Sequence, residues 1–82
     1  MNPKLKKLLT IVEKDIGPNQ AKTWLRFATD QKERFEIIQS KDTGEILFAI
    51  IPSSEPLFWM DSFKTKKEAL ALCHSMGWKL LK

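Results

Sequence analysis

The chain has 82 residues, a formal net charge of +4, and 43% hydrophobic and 29% charged residues. This length accommodates one hydrophobic core and excludes two, so we expect a single small globular domain over residues 1–82. The composition is typical of a folded protein rather than a disordered one. A single cysteine excludes an internal disulfide, and no apolar run approaches the ~20 residues of a membrane span. Both observations predict a cytoplasmic protein that does not bind a membrane.

An amphipathic helix is predicted over residues 3–16. Its apolar stripe consists of Leu5, Leu8, Leu9, Val12 and Ile16, which recur at helical spacing. Gly17 and Pro18 are expected to end it.

Residues 19–29 fit two patterns. The spacing of Ala21, Trp24 and Ala28 favours a second helix, whereas alternation of side chains around Leu25 and Phe27 would suit a strand. The helix is preferred, because a proline such as the preceding Pro18 is well tolerated in the first turn of a helix.

A small antiparallel sheet is predicted to follow. Residues 34–40 and 46–51 are rich in β-branched and aromatic side chains, and the turn cluster 41–45 between them indicates a β-hairpin over residues 34–51. The apolar run at residues 57–60 predicts a third short strand after the loop that contains Pro52 and Pro56. The fold class is therefore expected to be α+β.

The last predicted helix spans residues 66–76 and has clear end signals. Thr65 and Glu68 form a capping-box pattern, in which each side chain is expected to bind a backbone N–H of the helix start. Gly77 is expected to end the helix, with Trp78 packed back on its last turn. Residues 78–81 are expected to form a final short strand or a packed tail.

No catalytic machinery is evident, so we expect a non-enzymatic protein. Cys73 and His74 are neighbours on one helix and point about 100° apart, which does not make a thiolate–imidazole pair. The carboxylates, including Glu33 and Glu36, are expected to be solvated charges. No metal-ligand spacing or phosphate loop is present, so the sequence predicts no metal, no cofactor and no small-molecule substrate.

Two predicted strands are apolar on both faces, at residues 46–51 and 57–60. An antiparallel sheet with one solvated face should alternate instead, so either the chain covers both faces itself or one face binds a partner. The leading hypothesis is a small accessory or regulatory interaction module that binds a protein partner, or a second copy in a homodimer. The residues predicted to form this surface are Phe48, Phe58, Trp59 and Met60.

The alternative hypothesis is a basic nucleic-acid-binding domain. Three lysines, Lys64, Lys66 and Lys67, lie at the start of the last helix, where backbone N–H groups and positive charge could bind phosphate. The order of helix, antiparallel sheet and closing helix, with Lys66-Lys67-Glu68-Ala69 at its start, resembles the double-stranded-RNA-binding domain. That resemblance implies that the lysines would contact RNA phosphates. Leu70 occupies a position where that family usually has a further lysine.

Overall fold

The computed structural model of the protein describes residues 3–42 and 44–81. Within these ranges the fold is α+β, with two helices and a mixed sheet of four strands. The chain forms two compact units, the first ending at Asp30 and the second beginning at Gln31. No helix in the described ranges is long and apolar enough to cross a membrane.

The first unit consists of helix α1 (Pro3–Ala28), which is interrupted at Gly17. Gly17 has φ 86° and ψ 165°, a backbone region that is essentially restricted to glycine. Pro18 adds to the break, because its ring disfavours a helical residue before it. The predicted helix over residues 3–16 and its end at Gly17 and Pro18 are confirmed, and residues 19–28 continue as helix rather than strand. The buried residues of α1 are Leu5, Val12, Ala21, Trp24 and Phe27.

The second unit contains the sheet, which is built from β1 (Arg34–Asp42), β2 (Glu45–Pro52), β3 (Asp61–Phe63) and β4 (Lys79–Leu80). The strand order is β3-β2-β1-β4. β1 and β2 form the predicted hairpin, and its register is continuous from the Phe35–Pro52 pair to the Asp42–Glu45 pair. The turn residue Thr43 lies outside the described residues. β3 pairs antiparallel with β2, and β4, which lies where a final short strand or packed tail was expected, runs parallel to β1, so the sheet is mixed.

The predicted strand at residues 57–60 is also wrong, because the third strand lies further along at Asp61–Phe63. Residues 55–58 form a turn instead, closed by the Phe58 N–H donating to the Glu55 carbonyl oxygen at 3.0 Å. Pro56 has a fixed φ that suits the second position of such a turn. The chain returns to the sheet at Met60, whose N–H donates to the Ile50 carbonyl oxygen at 2.7 Å.

Helix α2 (Lys66–Met76) begins and ends where the sequence indicates. The Thr65 hydroxyl oxygen accepts the Glu68 N–H at 3.2 Å. The hydroxyl donates to the Glu68 carboxylate at 3.0 Å, a side-chain pair where a capping box predicted a carboxylate bond to a backbone N–H. Gly77 has φ 72°, and the Trp78 N–H donates to the Cys73 carbonyl oxygen at 2.9 Å. The buried Trp78 ring stacks on Phe35 of β1 with a centroid distance of 4.8 Å.

The carboxyl half of β2 is buried on both faces. Consecutive strand residues point to opposite faces, and Ala49, Ile50, Ile51 and Pro52 are all buried. At the other end of the strand, Ile46 is 49% exposed. The doubly apolar pattern of β2 therefore reflects a strand that is buried on both faces at residues 49–52 and exposed near the hairpin turn.

Candidate interaction site

The segment between β2 and β3, residues 53–60, presents the most exposed large apolar side chain of the described residues, and we call it the apolar loop. Leu57 is 92% exposed and Trp59 is 38% exposed, whereas Phe58 is half-buried. Leu57 lies at the third position of the 55–58 turn. A single exposed leucine is ordinary, but Leu57 on a hydrogen-bonded turn and Trp59 just after that turn together form a defined apolar feature.

The base of the apolar loop is fixed by hydrogen bonds at both of its ends. At the start, the Ser53 N–H donates to the Arg34 carbonyl oxygen at 2.8 Å, and the Glu55 N–H donates to the Pro52 carbonyl oxygen at 3.1 Å. At the end, the Met60 backbone is bonded to Ile50. Backbone hydrogen bonds to the sheet therefore hold the chain both before and after the turn that carries Leu57.

The carboxylate of Glu33 also holds the start of the loop. Glu33 is only 8% exposed. Its Oε2 accepts the Ser53 hydroxyl at 3.1 Å, the Arg34 N–H at 3.1 Å and the Ser54 N–H at 3.4 Å. Its Oε1 accepts the Ser54 hydroxyl. One buried carboxylate thus bonds both serines that open the loop.

The pKa of Glu33 follows from this environment. Burial acts to raise it, but the hydrogen bonds from the side chains of Ser54 and Ser53, together with the backbone N–H groups of Arg34 and Ser54, outweigh burial and leave the pKa below its ordinary value. The group is therefore ionised at neutral pH. The expectation that Glu33 is a solvated charge is wrong, because the hairpin brings Ser53 and Ser54 beside it.

The four residues predicted to form a partner surface have different environments. Trp59 is an exposed residue of the apolar loop, and Phe58 is half-buried. Met60 is 3% exposed and belongs to the core, so it cannot be part of an accessible surface. Phe48 is half-buried on β2, opposite Phe63 of β3. Leu57, the most exposed of the apolar side chains, was within the predicted strand but not among the predicted contact residues.

Comparison with known proteins assigns no family. No family model, no curated protein and no solved structure matches the chain. The surfaces of the molecule itself are therefore the guide to its function.

The three predicted anion-binding lysines lie at the start of α2 or just before it, and we call them the basic corner. Lys64, Lys66 and Lys67 are all exposed. The same helix start also carries Glu68, whose N–H and carboxylate are both bonded to Thr65. A phosphate approaching the backbone N–H groups there would meet a carboxylate and a cap that already uses one of them.

The thiol of Cys73 is poorly suited to act as a nucleophile. Cys73 is 1% exposed, and burial raises its pKa to about 11, so the thiol stays protonated and weakly nucleophilic at neutral pH. His74, by contrast, is exposed. Among the residues that the structure describes, no group of three or more His, Cys, Asp or Glu side chains could hold a metal ion.

Proposed function

We propose that the protein is a non-enzymatic interaction module that binds a protein partner through the apolar loop. The observation that carries the proposal is the 92% exposure of Leu57 on a turn whose base is fixed by the sheet and by Glu33. Leu57 and Trp59 are the side chains that the partner would bury. Tryptophan is enriched among the residues that dominate binding energy, and a turn that is already ordered loses little entropy on binding.

The size of the effect follows from burial of apolar surface. Covering a fully exposed leucine side chain is worth about 1.5–3 kcal/mol, which corresponds to roughly a tenfold to hundredfold change in affinity. Because Leu57 is almost fully exposed in the free protein, its removal should weaken binding without changing the stability of the fold.

Sedimentation velocity on the purified protein comes first, because it separates self-association from binding to another protein. A photo-crosslinking amino acid is then placed at position 57 in one variant and at position 81 in a second variant. Leu81 lies outside the apolar loop and is 49% exposed. We expect a discrete crosslinked product in extract of the source cells from position 57 only. Unlabelled wild type should compete it away, as should Leu81→Ser, whereas Leu57→Ser and Trp59→Ser should not.

Three outcomes would contradict the proposal. One is equal crosslinking from both positions, and another is equal competition by Leu57→Ser and Leu81→Ser. The third is a strict monomer that gives no product at position 57.

A second candidate function is nucleic-acid binding by the basic corner, favoured by the exposure of Lys64, Lys66 and Lys67 at one helix end. Binding through phosphates must weaken steeply as salt rises. A mobility-shift assay with double-stranded RNA at two salt concentrations tests this, with Lys66→Glu and Lys67→Glu as the site variants. Binding that ignores both the salt and these substitutions would exclude the basic corner.

A further inference from the structure

One side of strand β1 is left largely unpaired by the sheet. Among residues 3–42 and 44–81, β4 pairs with Arg34 and Phe35 alone, although β1 continues to Asp42. The last bond on this side is the Leu81 N–H donating to the Phe35 carbonyl oxygen at 2.7 Å. In the part of the chain that the structure describes, strand pairing on this side of β1 stops there. We call residues 36–41 the open edge.

The hydrogen bonds of Arg34 and Phe35 show which backbone groups of β1 point outward. The Phe35 carbonyl points toward β4, whereas the Arg34 carbonyl points toward β2, where it accepts the Ser53 N–H. Along an antiparallel strand successive residues alternate between the two sides. The N–H and C=O groups of Ile37, Gln39 and Lys41 therefore point to the open edge, and those of the residues between them pair with β2.

The open edge lacks two of the features that usually protect such strands, although Lys41 supplies a third, a charged side chain. It contains no proline, and its register with β2 runs without a bulge. Gln39 and Lys41 are exposed, and Ile37 is half-buried. The outer strands β3 and β4 are much shorter, with three and two residues. Unpaired N–H and C=O groups in this spacing are a template for another extended strand.

We propose that the open edge binds an extended peptide segment of a partner protein, which adds to the sheet as an antiparallel strand beside β1. Peptide residues opposite Ile37, Gln39 and Lys41 would each exchange two backbone bonds, about six in all. Side chains directly opposite share a face of the sheet, so the segment that fits has an apolar residue opposite Ile37 and an acidic residue opposite Lys41. A proline at any bonded position would prevent the addition.

A second copy of the chain is a poorer fit for this edge. Two copies could pair symmetrically, as antiparallel strands, through all three outward residues. Gln39 of one chain would then lie opposite Gln39 of the other, and residue 42 of each chain would lie opposite Glu36 of the other. β4 pairs Leu80 with Phe35, so the next residue, Leu81, already lies beside Glu36. The copy and its hairpin turn would collide with that segment. A peptide segment has no such turn.

The open edge does not include the apolar loop, and each surface can be tested without the other. Gln39→Pro is the informative variant, because it removes an N–H that points outward and leaves the bonds to β2 in place. Gln39→Ala is the matched control, since it removes the side chain but keeps the N–H. Circular dichroism and thermal unfolding establish that both variants fold.

The probe is a library of short random peptides selected on the wild-type protein, with the winners measured on the two variants. We expect the selected peptides to have no proline at the bonded positions. They should bind Gln39→Ala with the affinity of wild type and Gln39→Pro with an affinity lower by about tenfold or more. In amide NMR spectra, signals of residues 37, 39 and 41 should shift with a selected peptide and exchange more slowly with solvent. Signals of residues 36, 38 and 40, already bonded to β2, should change less.

Selection of no peptide overturns the proposal, as does equal affinity of the winners for Gln39→Pro and wild type. Spectral changes without the alternation along β1 also overturn it. Leu57→Ser serves as a further control: it should leave peptide binding at the open edge unchanged even if it abolishes binding through the apolar loop.

Discussion

The buried carboxylate of Glu33 gives the most specific stability prediction. Glu33→Gln keeps the shape of the side chain and removes its charge, so it isolates the contribution of ionisation to holding Ser53 and Ser54 in place. Glu33→Ala removes the acceptor altogether. Glu36→Gln is the matched control, because it removes the same charge from a half-buried glutamate on β1, the strand that directly follows Glu33.

The expected magnitude follows from the hydrogen bonds of Glu33. Its Oε2 accepts three of them, and a glutamine oxygen in that place could keep all three as neutral bonds, while the amide NH2 in place of Oε1 would have to donate to the Ser54 hydroxyl instead of accepting from it. Losing ~0.5 kcal/mol from each, offset partly by the lower cost of burying a neutral amide, gives a loss of about 1 kcal/mol. Glu33→Ala leaves the donors without their acceptor and should lower the free energy of unfolding by about 3 kcal/mol. Glu36→Gln should change it by less than about 0.5 kcal/mol.

The difference between wild type and Glu33→Gln should depend on pH. Because the folded pKa of Glu33 lies below its ordinary value of 4.5, folding favours the ionised form. That stabilisation is complete above the ordinary pKa and is lost as the pH falls through the folded value. Urea unfolding followed by tryptophan fluorescence measures it, since Trp78 stacks on Phe35 within the sheet unit.

A loss of the same size near pH 7 and at about pH 3.5 would refute this reasoning, because the charge would then have no part in it. So would an unchanged free energy of unfolding in Glu33→Gln at neutral pH. If Glu36→Gln were as damaging as Glu33→Gln, the effect would belong to the net charge of the protein and not to the hydrogen bonds around Ser53 and Ser54.

Three further predictions concern α2. Thr65→Ala should lower the free energy of unfolding by about 1 kcal/mol through loss of the cap, and Thr65→Ser, which keeps the hydroxyl, should restore most of it; equal losses would contradict the cap. Gly77→Ala should lower the free energy of unfolding by about 1–2 kcal/mol, because alanine is strained at a φ of 72°. The added Cβ itself meets no atom within 4 Å, so an unchanged urea midpoint would show that the backbone relaxes there. The Cys73 thiol, with its pKa raised to about 11, should react with Ellman's reagent at pH 8 roughly two orders of magnitude more slowly than in urea, and similar rates would show that it is accessible.

The ends of α2 could be predicted from the sequence because their signals are local. Thr65 and Glu68 lie within one turn of each other, and Gly77 needs only its own backbone to adopt a positive φ. The break at Gly17 and Pro18 is local for the same reason. Each of these positions was predicted correctly without any knowledge of the rest of the fold.

The third strand could not be placed from the sequence, because tertiary pairing overrides strand propensity. Residues 57–60 are apolar and look like a strand, whereas Asp61 and Ser62 do not. In the structure it is Asp61–Phe63 that pairs with β2, with Phe63 opposite Phe48 and Asp61 opposite Ile50. Leu57 and Phe58 belong instead to the turn that begins at Glu55. Of the apolar side chains at residues 57–60, Met60 is in the core and Leu57 is on the surface.

The surroundings of Glu33 depend on a contact between residues twenty positions apart. A usable signal did exist, since the hairpin turn fixes the register, and that register continues to Arg34 and Ser53. Extending it by one residue would have placed Glu33 beside Ser54. The open edge of β1 gave no such signal, because it depends on how far β4 pairs along β1.

The pairing of β4 with the start of β1 has a consequence for the sheet unit as a building block. Arg34, near the beginning of the unit, lies beside Lys79, near its end, so the chain enters and leaves the unit at the same place. A unit with adjacent ends can be inserted into a loop of a host protein, or have its ends joined and be reopened elsewhere, without stretching its backbone. The hairpin turn next to Gly44, which is exposed, is the natural place to reopen it.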